Sequence, residues 1–295
     1  LGSLCGSGTL GILIPPSIIM VVYAVAADVS IIKVFLAGFI PGAIVMALFS
    51  GYIIVWALLH PERTPPPEPR TTLREKLRAS KNLIPCLLLI VLVCWVLVAG
   101  YATATEAAAF GVLGSLGLAW WSKSLSWENF VASLMGATRL SCMILFILAG
   151  ASFLTVTMGF TKIPMALAEW VASLNLSPYA LIGMLTLVYI ALGTALDGVS
   201  MIVLTTSIVI PMIQKAGFDL IWFGIFIVLL VEIAEVTPPV GFNLFVLQTM
   251  SGKDSFYIGR ASIPFFLMLV VSIVIITIWP QTVTWFPDYV MGKTK

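Results

Sequence analysis

Two stretches of this 295-residue chain break apolar, helix-forming sequence with paired prolines: Pro15-Pro16 in "IPPS" and Pro238-Pro239 in "TPPV". A proline inside a helix removes a backbone N–H and clashes with the preceding turn, at about 3 kcal/mol or more, unless the freed carbonyls find a new partner. A cation is such a partner. Gly8, Thr9, Gly11 and Ser17 flank the first break, and Thr237, Gly241 and Asn243 flank the second. Donors that are all oxygens suit Na+ rather than a transition metal. The competing reading is a pair of packing kinks, which transmembrane helices tolerate.

Ionisable residues inside apolar segments are costly, and each is a functional candidate by default. Glu106 opens a span in "TATEAAAFG", either as a carboxylate stabilised at a helix amino end beside Thr103 and Thr105 or as a functional group. Asp197 is placed to cap a helix or to shape an ion site. Glu232 and Glu235, three apart on one helical face, precede the second break, and ion-site shaping, proton coupling and structural hydrogen bonding all remain open for them. Arg139 and Arg260 are the guanidinium partners available to a carboxylate substrate or to these acids. Both sit near span ends, and snorkelling to the interface is the favoured reading for them.

The elements that position these residues are membrane helices. The chain is 60% hydrophobic and 9% charged with mean hydropathy +1.11, against about 25% charged in an average soluble domain. Net charge +2 gives no reason to expect nucleic acid. Cys5, Cys86, Cys94 and Cys142 lie in apolar runs without metal-ligand spacing and are expected as buried thiols. No signal peptide is visible, and an opening at Leu1 implies a natural start further upstream.

Apolar runs predict a broken segment over 1–26 and spans near 33–59, 83–101, 105–121 and 133–158. An amphipathic stretch follows at 161–175, then an apolar region 179–213 interrupted by "GTALDG", a broken span 220–250 and a last span 261–281. The basic linker 60–82 holds six of the 15 Lys and Arg and is expected on the cytoplasmic side. The expected divisions are 1–59 as the end of a first repeat, the linker 60–82, scaffold spans 83–178, a transport core 179–250, and a last span with tail 251–295. Region 179–213 is too long for one crossing of about 20 residues, so it reads as a re-entrant hairpin, although Lys and Arg placement does not decide between the two.

The two breaks belong to a repeat. Pro15 precedes Pro41 by 26 residues and Pro238 precedes Pro264 by 26, each second proline following an isoleucine. With the hairpin, the full spans of the two units run in opposite directions, giving inverted repeats. In secondary transporters that arrangement brings discontinuous helices to the midplane, where half-helix ends and unwound carbonyls meet substrate and ion. The fold class expected is an all-α polytopic membrane protein with inverted repeats, a re-entrant hairpin and broken helices. Tryptophans such as Trp120, Trp121, Trp279 and Trp285 sit at span edges as interfacial anchors.

"SGTLGILIPPS", "TATEAAAFG", "LDGVSMIVLTTSIVIP", "FDLIWFGI" and "TPPVGFNLFV", in that order, resemble the large membrane subunit of tripartite ATP-independent periplasmic (TRAP) transporters, the DctM-like family. The resemblance covers essentially the whole chain. It implies an elevator-type secondary transporter of the bacterial inner membrane. A periplasmic binding protein would deliver a C4-dicarboxylate, sialic acid or other carboxylate, a small membrane subunit would accompany the chain, and Na+ would be the coupling ion, with no cofactor. It further implies that Na+ is held where a hairpin tip, here Gly193, Thr194, Asp197 and Ser200, meets the unwound segment Thr237, Pro238 and Gly241. In the first repeat only the broken helix is expected in this chain, with Gly8, Thr9, Gly11, Pro15 and Ser17 on it. Asn243, Arg139, Arg260, Glu232 and Glu235 are candidates for the substrate path. Ser207, Leu220 and Glu235 depart from the family pattern, and Glu235 bears on ion stoichiometry because an uncharged residue is usual there.

The alternative is a stand-alone Na+-coupled divalent-anion or citrate-type symporter, which needs no binding protein. Catalysis is not expected. Asp197 is the only aspartate embedded in a span-like segment, and His60, the single histidine, lies in a loop without a membrane serine to activate.

Overall fold

The computed structural model describes residues 1–64, 72, 75, 80–174, 176–194, 196–238 and 241–292. Most of the basic linker, and Pro239 with Val240 of the second break, lie outside the described residues. The chain divides into two compact units, one of Leu1–Val55 with Ile144–Lys295 and one of Trp56–Met143.

The second unit is built on α4 (Ile84–Val98) and α5 (Ala104–Trp121), which pack on each other. Glu106 closes a capping box at the start of α5. Its carboxylate accepts from the Thr103 N–H and hydroxyl, each at 2.8 Å, and the Thr103 hydroxyl accepts from the Glu106 N–H. Of the two readings of Glu106, this is the structural one.

The first unit contains α1 (Gly2–Leu13), α2 (Ile18–Ala26), α3 (Ile31–Leu59, to Val55) and the end of α6 (Trp127–Thr161). It continues with α7 (Ile163–Ser173), α8 (Pro178–Gly193), α9 (Gly198–Lys215), α10 (Leu220–Glu235), α11 (Phe242–Ser251), α12 (Ser255–Ile278) and α13 (Gln281–Met291). Among the described residues four helices, α3, α6, α9 and α12, are long and apolar enough to cross a membrane, and α1 with α2, bent by 45° at the break, makes a fifth if counted as one span. The chain is an all-α polytopic membrane protein.

At the centre stands α10, with every residue from Trp222 to Ala234 buried. A helix apolar all round lies either in a protein core or against lipid, and here α1, α2, α8, α9, α11, α12 and α13 pack against it. Burying apolar area does little to drive helices together in lipid, so close packing and interhelical hydrogen bonds carry the assembly. The Tyr23 hydroxyl donates to the Leu220 carbonyl at 2.6 Å, tying α2 to the start of α10. The Trp222 indole N–H donates to the Ile276 carbonyl at 2.8 Å, tying α10 to α12.

One expectation is corrected. Only Cys5 is buried; Cys94 is half-buried, and Cys86 and Cys142 are exposed. In a membrane chain an apolar run marks contact with hydrocarbon as well as with the core, and a thiol suits either. Past the last span the chain forms α13, which buries Val283 and Pro287 and packs on α10 and α12.

Candidate functional site

The hairpin is the first piece of the site. The hydroxyls of Tyr189 on α8 and Thr205 on α9 are 2.6 Å apart. Sixteen residues of continuous helix would separate them by about 24 Å, so the chain doubles back at Thr194–Asp197. Thr194 and Asp197 each have a local task in the turn. The Thr194 hydroxyl donates to the Ala191 carbonyl at 2.7 Å at the end of α8. Asp197 caps α9, accepting from the N–H groups of Val199 and Ser200 at 3.1 and 3.2 Å and from the Ser200 hydroxyl at 2.5 Å. Of its two sequence-level roles, the structure displays the cap, the favoured use of Asp before a helix.

Two glycines let the tip dock. A Cβ on Gly193 would run into Ala234, and one on Gly198 would meet Val231 and Ile19. The tip therefore wedges between the last turns of α10, just before the second break, and the first turn of α2, just after the first.

At the second break α10 ends in a tightened turn, with the Val236 and Thr237 N–H groups on the Ile233 and Ala234 carbonyls at 3.2 Å each. The Thr237 hydroxyl donates to the Ile233 carbonyl at 2.6 Å. The Gly241 N–H returns to the Thr237 carbonyl at 3.2 Å. The carbonyl oxygens of Glu235 and Thr237 both converge on the space a Gly241 Cβ would fill. Pro238 packs on Gly259 of α12 and, with Val236, Thr237, Ile263, Phe266 and Leu267, lines an apolar cavity of about 250 Å³.

The first break is organised likewise. Thr9 is fully buried and donates to the Gly6 carbonyl at 2.9 Å. Pro15 is buried, and the buried Ser17 caps α2 by accepting from the Met20 N–H at 3.5 Å. Gly11 faces open space. The Asn243 amide links the two breaks, donating to the Cys5 carbonyl at 3.3 Å and lying against Gly8.

Of the candidates, Gly8 and Asn243 meet each other, and Gly193 meets the end of α10 that leads to Thr237. Glu235 is half-buried, within electrostatic range of Asp197 and Glu232. Glu232 is fully buried, with neither carboxylate oxygen hydrogen-bonded among the described residues. Arg260 is exposed on α12, and Arg139 is exposed on α6, in the second unit. Sequence reading gave no role to Ile19, whose importance comes from contact with the distant hairpin tip.

The family described as "Tripartite ATP-independent periplasmic transporter, DctM component" matches residues 2–282. The chain belongs to this family. A C4-dicarboxylate TRAP transporter large permease protein, DctM, of Pseudomonas aeruginosa is 33% identical over 289 residues, covering 98% of this chain and 67% of that protein. The corresponding DctM of Vibrio cholerae is 32% identical over 314 residues, covering 99% and 68%. A sialic acid TRAP transporter permease protein, SiaT, of Haemophilus influenzae is 27% identical over 290 residues, covering 97% of this chain and 46% of that protein. The chain thus spans about two thirds of the length of the DctM relatives. The family places the hairpin and both breaks within a transport permease, and the named relatives are permeases rather than enzymes.

Proposed function

We propose that the chain is the transport-bearing part of a Na+-coupled TRAP large permease in the bacterial inner membrane. It moves an organic anion with one or more carboxylates, a C4-dicarboxylate, sialic acid or a related acid, delivered by a periplasmic binding protein. A small membrane subunit accompanies it, and the uncovered apolar surface of α6 offers such a partner room. The observation that carries this reading is the wedging of the hairpin tip between the two broken helices. It supports a Na+ site formed by the tip, from Gly193 and Thr194 to Asp197 and Ser200, with the carbonyls and hydroxyl around Thr237, Pro238 and Gly241. The break at Pro15 and Ser17, with Gly8, Thr9 and Gly11, supplies the symmetry-related half. Asn243, beside Gly8, stands at the substrate path. An elevator-type motion is what the family resemblance implies for such a core.

Reconstitution tests this. The complete permease with its small subunit in proteoliposomes is expected to accumulate a labelled organic acid only with both an inward Na+ gradient and the binding protein. Na+-driven uptake indifferent to the binding protein would replace this reading with the stand-alone symporter.

A further inference from the structure

The buried acid Glu232 has no part in the ion site just described, and its surroundings set what it binds. It is fully buried, and both carboxylate oxygens lack hydrogen-bond partners among the described residues. An ionised carboxylate dehydrated without a partner costs several kcal/mol or more, so such a group takes up a proton or a cation. The choice between them follows from the neighbours. Val231 faces the hairpin through Gly198, and Trp222 faces α12 through Ile276. Glu232 lies about 100° round the helix from Val231, on the side between them. Of the residues one turn away on its own face, Val228, Leu229 and Val236 are buried and apolar, and the fourth, Glu235, is a second acid. A bare Na+ needs several oxygen ligands, and among these side chains only the Glu235 carboxylate supplies any. A proton needs only the carboxylate.

The charges nearby deepen the requirement. Glu235 acts on Glu232, and Asp197 acts on Glu235, so the electrostatic neighbours are acids. From α1 the ionisable group is the Cys5 thiol, within electrostatic range of Glu235. From α2 and α8 they are Tyr23 and Tyr189, whose hydroxyls are engaged with Leu220 and Thr205, and the exposed Tyr179. From α9, besides Asp197, there is Lys215, exposed in its last turn; from α12, Tyr257 and Arg260, both exposed; from α13, Asp288 and Tyr289. The segment Phe242–Ser251 carries no ionisable side chain.

We propose that Glu232 is a proton-binding site inside the transport core, a second cation position distinct from the Na+ site. The proton comes from water, bonds to one carboxylate oxygen and returns to water when α10 is uncovered. That it takes part in coupling rests on the transport reading above; that the proton is bound does not.

Infrared difference spectroscopy on the complete permease with its small subunit in lipid nanodiscs, near neutral pH, separates the two. The carbonyl stretch of a protonated carboxylic acid is expected in wild type and in Glu235→Gln, and lost in Glu232→Gln, whether or not the preparation transports. Glutamine is the neutral isostere, so Glu232→Gln is also expected to fold and melt within a few degrees of wild type. A carbonyl band unchanged by Glu232→Gln, loss of a carboxylate band instead, or a variant that does not fold would each overturn the proposal.

Discussion

At the scale of single residues, Asp197 and Thr237 each have a structural duty that must be separated from ion binding. Asp197 holds two backbone N–H groups at the start of α9, and removing such a cap costs about 1 kcal/mol. Asp197→Ala is expected to lower thermal stability by that amount, whereas Asp197→Asn keeps an acceptor and stays near wild type. If the charge contributes to the Na+ site, the asparagine variant nonetheless requires about tenfold more Na+ for half-maximal uptake, which is about 1.4 kcal/mol. Equal Na+ requirements in wild type and Asp197→Asn would confine Asp197 to capping. Thr103→Ala is the control in the other unit: it opens the capping box of α5 and is expected to lower melting stability by about 1 kcal/mol without changing Na+ dependence.

At the scale of elements, the account depends on the hairpin tip staying seated. Gly193 packs so closely on Ala234 that any side chain must push α8 and α10 apart. Gly193→Val is expected to insert into membranes and yet abolish uptake, and retained uptake would show that the tip need not approach α10. Tyr189→Phe removes the hydroxyl contact between the hairpin arms, a loss of about 0.6 kcal/mol by the membrane average. It is expected to lower uptake modestly where Gly193→Val eliminates it. The hairpin was legible in the sequence because glycine and aspartate break an apolar run too long for one crossing. Flanking Lys and Arg could not fix its direction because they fall on both sides in either topology. Its seat was not legible, since Ile19, Val231 and Ala234 look like any other apolar residues until distant segments meet. The α13 helix was hidden for a local reason: Pro280 and Pro287 punctuate "PQTVTWFPDYVMG", yet Pro280 sits at the helix start and Pro287 is buried within it.

At the scale of the whole molecule, composition and the two proline pairs conveyed a polytopic helical protein with broken helices. The burial of particular side chains was conveyed poorly, as the exposed Cys86 and Cys142 show, because lipid and protein core select the same residues. The fully buried helix α10 could not be told from a lipid-facing span by hydropathy; its rank as the central helix is a property of the assembly. The central claim is that the tip and the second break together hold Na+. A ligand that binds only the folded protein raises its melting temperature, so the most direct measurement is the Na+ dependence of thermal unfolding of the purified permease, wild type against Thr237→Ala, with Thr237→Ser restoring the hydroxyl and K+ at matched ionic strength. Na+ is predicted to raise the wild-type and Thr237→Ser melting temperatures where K+ does not, and the shift is predicted to be largely lost in Thr237→Ala. An equal response to K+, or an unchanged Na+ response in Thr237→Ala, would contradict it.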